Sequence, residues 1–241
     1  MIRSIALTTL IGAAALGASL KSQNAGPVKT ASSSGGLSVI ELYESQGCSS
    51  CPPAIRNANA LADRKDMLVL TFSVTYWDYL GWKDIYGQPA FTQRQHDYAN
   101  GSGRSRVSTP QMIINGRTAL VGDRPDEIRA DLAKTGRIPT LSVTSTNPGT
   151  ISLRSSGKPQ GRSDVWLVRY DPHSLNVPIR SGENAGRTIA HRNVVFGLKR
   201  LGGWDGSART FDVPAAGRPG LAEAILVQAP NGGPLLAAAK L

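Results

Sequence analysis

Apolar and polar positions alternate in two different rhythms along the chain. Leu37 to Leu42 alternates loosely and ends at Tyr43, which predicts a first strand. Ile55, Ala58 and Leu61 recur at helical spacing, which predicts a helix from about Pro53 to Arg64. Met67 to Val74 is nearly continuous apolar sequence, the pattern of a central strand buried on both faces. An aromatic loop, Tyr76 to Trp82, follows. A proline-initiated helix is expected over Pro89 to Tyr98, and a Gly-Ser-Arg loop over Gly101 to Ser108. Met112 to Ile114 and Thr118 to Val121 flank Asn115-Gly116, a hairpin signal. Asp123 is a candidate N-cap, Pro125 sits early in a last helix to about Lys134, and Gly136 is its stop.

After Pro139 the helical rhythm disappears. Short alternating segments are expected at 141–144, 151–154, 165–170, 188–196, 210–213, 224–228 and 235–239. Turn clusters at Asn147-Pro148-Gly149, Gly202-Gly203 and Asn231 to Pro234 separate them. Strands at this spacing without helices predict a β-rich, sandwich-like region. With almost no linker between Gly136 and Pro139, that region is expected to pack extensively on the first and to wall one side of its cysteine cleft.

The N-terminus has its own pattern. Arg3 precedes an apolar, Ala-Leu-Gly-rich stretch from Ile5 to Leu20, ended by Lys21 and Ser22. This reads as an export signal over residues 1–22, then a flexible Ser-Gly-Ala linker over 23–36. No later stretch could span a bilayer, so the processed chain is expected in the periplasm or outside the cell. The remaining organisation is a 37–137 domain with an insertion at 76–108, and the β-rich 138–241. The chain has 241 residues and a formal charge of +10. The basic residues are scattered rather than run together, and no nucleic-acid motif accompanies them.

Two cysteines carry the candidate chemistry, Cys48 and Cys51. Zinc wants about four ligands, and no second pair exists among His96, His173 and His191. A structural disulfide closing so short a loop removes little unfolded-chain entropy. Thiol–disulfide exchange suits the placement better: the pair lies between a strand and a helix, whose N-terminus favours a thiolate on Cys48. Cys48 is expected to be the more exposed and to attack, and Cys51 to resolve the mixed disulfide. Pro52 and Pro53 cannot donate backbone N–H bonds, so the regular helix is expected to start near Pro53.

Here the chain resembles the thioredoxin superfamily, over roughly Leu37 to Gly136. The resemblance rests on Cys48-x-x-Cys51 and on Thr109-Pro110-Gln111, where it implies a cis-proline beside the disulfide that pairs with extended substrate. Pro110 lies 59 residues after Cys51. A narrower resemblance covers nearly all of the mature chain. ELYESQGCSSCPPA, YWDYLGWKD, PAFTQRQ, TPQMIING, SGENAGRT and LVQAPNGGP look like a bacterial secreted family catalogued as domain of unknown function 1223. It implies an α/β thioredoxin-like domain plus a family-specific C-terminal region, and no reaction. Members often carry His and Asp where this chain has Ser73 and Thr75, and Asp in place of Ile55.

Other residues are weighed against plainer roles. Trp77, Tyr79 and Trp82 either wall the site or pack the insertion on the core. Asp78 and Asp84 read as solvated loop aspartates, and His191 as a satisfied histidine of the β region. Arg104 and Arg106 either lower a thiolate pKa or are exposed loop arginines. Glu41 or Glu44 could shuttle a proton. The expected activity is an envelope thiol–disulfide oxidoreductase acting on protein or small-molecule thiols and disulfides, with no organic cofactor. The alternatives are a Cu(I) metallochaperone, with both cysteines as soft ligands, and a non-catalytic binding module of the same fold.

Overall fold

A computed structural model describes residue 1 and residues 30–31, 35–145, 149–154 and 161–241. The expected export signal lies outside the described residues apart from Met1, as does most of the 23–36 segment and the Asn147-Pro148 turn. Within that segment Thr30–Ala31 forms a two-residue strand, β1.

The N-terminal half alternates strand and helix as its two rhythms require: β2 Ser38–Glu44, α1 Cys51–Leu61, β3 Met67–Ser73, α2 Pro89–Gly101, β4 Gln111–Ile114, β5 Thr118–Leu120 and α3 Pro125–Thr135. β2 and β3 pair in parallel and are buried along their whole length. β4 runs antiparallel to β2. Asn115 (φ 51°) and Gly116 (φ 65°) supply the left-handed turn between β4 and β5. α1 begins at Cys51, two residues before the expected start. Its first N–H groups have no intrahelical partners in any case, so Pro52 and Pro53 fit the first turn. α3 has Arg124, not Asp123, at its N-cap, and Gly136 (φ 65°) ends it.

Alternation along β2 assigns its residues to opposite faces. Ile40 and Leu42 pack with α1, α3 and the cysteines. Val39 and Tyr43 pack on the other face with Phe72, Phe91 and Tyr98, the latter two from α2. On that second face Glu41 and Arg94 form a buried ion pair at 2.7 Å, with hydroxyl donors from Tyr43 and Tyr98 and a further bond from Arg94 to Gln228.

The C-terminal region supplies β6 Ser142–Thr144, β7 Thr150–Arg154, β8 Ser163–Asp171, β9 Leu175–Pro178, β10 Thr188–His191, β11 Val194–Trp204, β12 Arg209–Asp212, β13 Ala222–Gln228 and β14 Leu235–Lys240. Four of these strands extend the first sheet, in the order β14-β13-β8-β11-β3-β2-β4-β5. The junction is a short parallel contact, Val194 opposite Thr71, fixed by Asn193 Nδ2 on the Val69 carbonyl at 2.9 Å. A second sheet, β1-β6-β7-β12, covers this extension, and Leu153, Val165, Trp204, Phe211 and Ile225 fill the space between. The region is thus β-rich and sandwich-like, with one of its layers continuous with the thioredoxin-like sheet.

Three details depart from the sequence reading. The single strand expected over 188–196 is broken at Arg192-Asn193, where Asn193 takes φ 50°. Gly202-Gly203 is not a turn but lies inside β11, at a register shift against β8. β9, absent from the sequence reading, pairs with β10 as a hairpin. The hairpin leans on α1: Asn59 donates to the Ala190 carbonyl and accepts from the Arg192 N–H.

Arg94→Ala leaves Glu41 charged, buried and short of a cation, so a loss of about 3–5 kcal/mol in denaturant unfolding is expected. Removing residues 138–241 strips β11 from β3 and is expected to give insoluble protein. A soluble 37–137 fragment with the full-length reduction potential would contradict that expectation.

Candidate functional site

β2 delivers the chain into a tight loop, Ser45 to Ser50, in which the Cys48 N–H bonds the Ser45 carbonyl and the Cys51 N–H bonds the Cys48 carbonyl. Those bonds turn both side chains toward one another. Cys48 and Cys51 form a disulfide with their Cα atoms 5.4 Å apart. The Thr109–Pro110 peptide is cis. Ser50 Oγ lies 3.3 Å from Cys48 Sγ and 3.5 Å from the Thr109 carbonyl, so it links the disulfide to the cis-proline turn.

The expectation of an exposed Cys48 is overturned: both cysteines are 0 % exposed. The cover comes from two directions. Trp77 packs against the disulfide cluster and its Nε1 donates to Thr109 Oγ1 at 2.6 Å. From the other side the β9–β10 hairpin tip, residues 179–187, reaches across the cysteine loop. Asn184 Nδ2 donates to the carbonyls of Gln46 and Cys48 at 2.9 and 2.8 Å. Glu183 Oε2 accepts from the Ser49 N–H at 3.1 Å. Trp82 Nε1 donates to Gln46 Oε1, and Ser181 Oγ to the Gly81 carbonyl, which ties the aromatic loop to the same tip. Tyr79 is 80 % exposed and outside this assembly. Arg104 donates to Ser102 within its own loop.

Beneath the cysteine loop lies a buried polar cluster that the sequence reading missed. Glu44 shares the face of Leu42 and the disulfide, whereas Glu41 points to the opposite face and Arg94. That parity excludes Glu41 from the site. Glu44 Oε1 accepts from Ser73 Oγ at 2.9 Å and lies 3.6 Å from His191 Nδ1. Asp84, expected in solvent, is buried; it accepts from the backbone N–H groups of Gln46 and Tyr86. His191, expected to be satisfied, makes no hydrogen bond from either ring nitrogen, and Glu44 Oε2 is likewise unpaired. Burial, and then the Asp84 charge, push Glu44 well above the usual carboxylate range. Burial pushes Asp84 up to about 6 and His191 down to about 4. The signal for this cluster was present in the sequence as two glutamates three apart in one buried strand, which must face opposite ways.

Fold and site together define a thioredoxin-like protein with a Cys-x-x-Cys disulfide between its first core strand and first helix. Residues 39–228 match the family described as a protein of unknown function, DUF1223, and the chain belongs to that family. It is similar to the crystal structure of protein AGR_C_4864 from Agrobacterium tumefaciens, at 27% identity and TM-score 0.70, over 87% of this chain and 96% of that one. HBP35 of Porphyromonas gingivalis shares the fold at 14% identity and TM-score 0.56, over 87% of this chain and 76% of that one. No curated protein matches the chain. Among the described residues no helix is long and apolar enough to cross a membrane.

The buried cluster gives stability two opposing pH dependences. Between about pH 4 and about pH 6 the folded chain keeps a proton on Asp84 that the unfolded chain gives up, so this group makes stability fall as pH rises. Over the same window His191 stays neutral in the fold while the unfolded chain protonates it, so stability rises with pH. Asp84→Asn is therefore expected to tilt the stability profile upward with pH, and His191→Gln downward. Denaturant titrations across that window check both slopes; two variants that parallel the wild type would refute the assignment.

Proposed function

We propose that this chain is an extracytoplasmic thiol–disulfide oxidoreductase. The observation that carries the reading is the Cys48–Cys51 disulfide at the N-terminus of α1, joined through Ser50 to the cis Thr109–Pro110 turn. The N-terminal charged-then-apolar sequence supports export, to the periplasm or beyond. Partners would be protein or small-molecule thiols and disulfides of the envelope.

In the proposed reaction a partner thiolate attacks Cys48 Sγ. The Cys48–Cys51 bond breaks, its electron pair goes to Cys51, and a mixed disulfide forms on Cys48. A second partner thiolate then attacks the partner's sulfur in that bond, releasing partner disulfide and Cys48 thiolate. Those steps oxidise the partner; when the reduced protein reduces a partner disulfide, they run backward, with Cys48 attacking and Cys51 as the resolving thiolate. Positive backbone dipoles at the start of α1 favour the Cys48 thiolate over an ordinary thiol. Thr109 and Pro110 would align an extended partner strand. Glu44, held protonated by burial on the disulfide's face, is the candidate proton donor for Cys51.

The burial of both sulfurs favours a second reading, a non-catalytic binding module that retains the fold. Insulin reduction with a dithiol as electron source separates the two. Oxidoreductase activity is expected in the wild type, abolished in Cys48→Ser, and replaced by trapped mixed disulfides in Cys51→Ser. Wild-type turnover equal to that of Cys48→Ser would favour the binding module.

A further inference from the structure

We propose that residues 181–187 form a latch over the disulfide, fastened by Asn184 and sensitive, through Glu183, to the redox state of Cys48. The proposal rests on the oxidoreductase reading and names how that site is opened. Thiol–disulfide exchange needs a sulfur nucleophile to approach Cys48 along the S–S axis. With neither sulfur exposed, something must move first.

The candidates for movement are few. β2 and α1 sit in the core, and Trp77 is held by Thr109 on the cis-proline side. The hairpin tip is different. Most of its residues are exposed, and its base is closed on itself by two bonds between Ile179 and the pair Gly186 and Arg187. Gly182 (φ 76°) and Gly186 (φ 82°) give it left-handed joints at both ends. It can therefore lift as a unit once its bonds to the cysteine loop and the exposed Ser181–Gly81 bond are broken.

Those bonds are concentrated on two side chains. Asn184 is fully buried and uses its amide N–H groups on the Gln46 and Cys48 carbonyls, while Arg187 Nη1 orients its Oδ1 at 3.0 Å. Lifting the tip leaves the Gln46 carbonyl to water and the Cys48 carbonyl with the Cys51 N–H. Glu183 adds a charge-assisted bond to the Ser49 N–H, one peptide unit from Cys48.

Charge makes the latch redox-sensitive. The N–H groups approaching α1 favour one negative charge. In the disulfide both sulfurs are neutral, and the Glu183 carboxylate takes that place. Reduction by a dithiol partner breaks the Cys48–Cys51 bond, closes a disulfide in the partner and transfers two electrons. It leaves a thiol on Cys51, a thiolate on Cys48 and one proton in solvent. The new thiolate and Glu183 then compete for the same donors and repel one another. By linkage, the thiolate weakens the Glu183 bond, and the bond disfavours the thiolate to the same degree. The latch is tight when oxidised and loose when reduced.

Three measurements on the full chain test this with dithiothreitol as the probe. Asn184→Ala is expected to be reduced on the order of tenfold faster than wild type, since two buried hydrogen bonds no longer hold the tip. A folded Asn184→Ala reduced at the wild-type rate overturns the latch. Glu183→Gln, at an exposed position where the amide oxygen can still accept from Ser49, isolates the charge. It should raise the Cys48 thiolate-to-thiol ratio about twofold to fivefold, read by thiolate absorbance against pH. An unchanged titration overturns the redox coupling. In the unmodified protein, the Ser49 amide should exchange with deuterium faster in the reduced than in the oxidised state; equal rates overturn the coupling without recourse to any variant. None of these readouts requires turnover of a protein substrate. An inert insulin assay beside a positive latch would therefore reject the oxidoreductase reading alone.

Discussion

β3 is an apolar strand that needs a neighbour on both sides. In a thioredoxin-like sheet truncated at α3, one edge of Met67–Ser73 would carry unpaired N–H and C=O groups amid exposed Leu, Val and Phe side chains, a template for aggregation. The C-terminal region covers that edge through β11, and the contact is brief. Thr71 takes the Asn193 carbonyl, Asn193 caps Val69, and Thr71 Oγ1 bonds the Arg192 carbonyl. The left-handed Asn193 lets β10 end and β11 begin within two residues. Because β10 stops there, the β9–β10 hairpin is anchored beside α1 and can only extend toward the cysteine loop. The reach of Asn184 over Cys48 thus follows from the pairing of β11 with β3.

That geometry explains why the oxidised site is closed. A solvent-facing cysteine would need an open end at the first helix, and the hairpin tip occupies it. The Cys48 carbonyl already accepts from the Cys51 N–H, but a buried carbonyl such as that of Gln46 costs free energy if left without a donor. Asn184 is suited to the position because one planar amide group can serve both carbonyls at once. The mirror-image problem on the opposite face is solved by charge pairing, Glu41 with Arg94. The two glutamates of β2 therefore meet opposite fates. One is neutralised by a guanidinium, and the other is left to keep its proton.

The strand–helix–strand order, the cysteine pair and the Asn115-Gly116 turn were legible because each depends on a local pattern, whereas the cis-proline followed from the superfamily resemblance. Alternation, proline geometry and left-handed turn residues act within a few positions. The β-rich character of the region from residue 138 onward was legible for the same reason. What was not legible depends on distance along the chain. Asn184 lies 136 residues from the carbonyl it caps at Cys48, and nothing in its neighbourhood signals that partner. Asp84 looked like a solvated loop residue because loops normally are solvated; it is buried because its carboxylate satisfies the Gln46 and Tyr86 N–H groups. Gly202-Gly203 read as a turn, but an eleven-residue strand absorbs the pair in register, just after a bulge at Leu201. The exposure of Cys48 was misjudged because part of its cover, the tip that carries Asn184, comes from the second half of the chain.

The unpaired atoms in the polar cluster fit the same logic. Glu44 Oε2 and both nitrogens of His191 are buried without hydrogen bonds, which is expensive and uncommon. The neighbourhood reduces the cost by keeping all of these groups uncharged: a protonated carboxyl and a neutral imidazole are far cheaper to bury than their ions. Ser73 contributes here, since a hydroxyl can bond Glu44 in either protonation state. The imidazole beside Glu44 comes from β10, on the far side of the fold's junction. His191 and Asn184 belong to one hairpin, so the residue that approaches Glu44 and the residue that fastens the cysteine loop are positioned by the same two strands. A displacement of that hairpin would change the polar surroundings of Glu44 and the cover over Cys48 together. Proton affinity below the disulfide and access above it are then two consequences of one structural element.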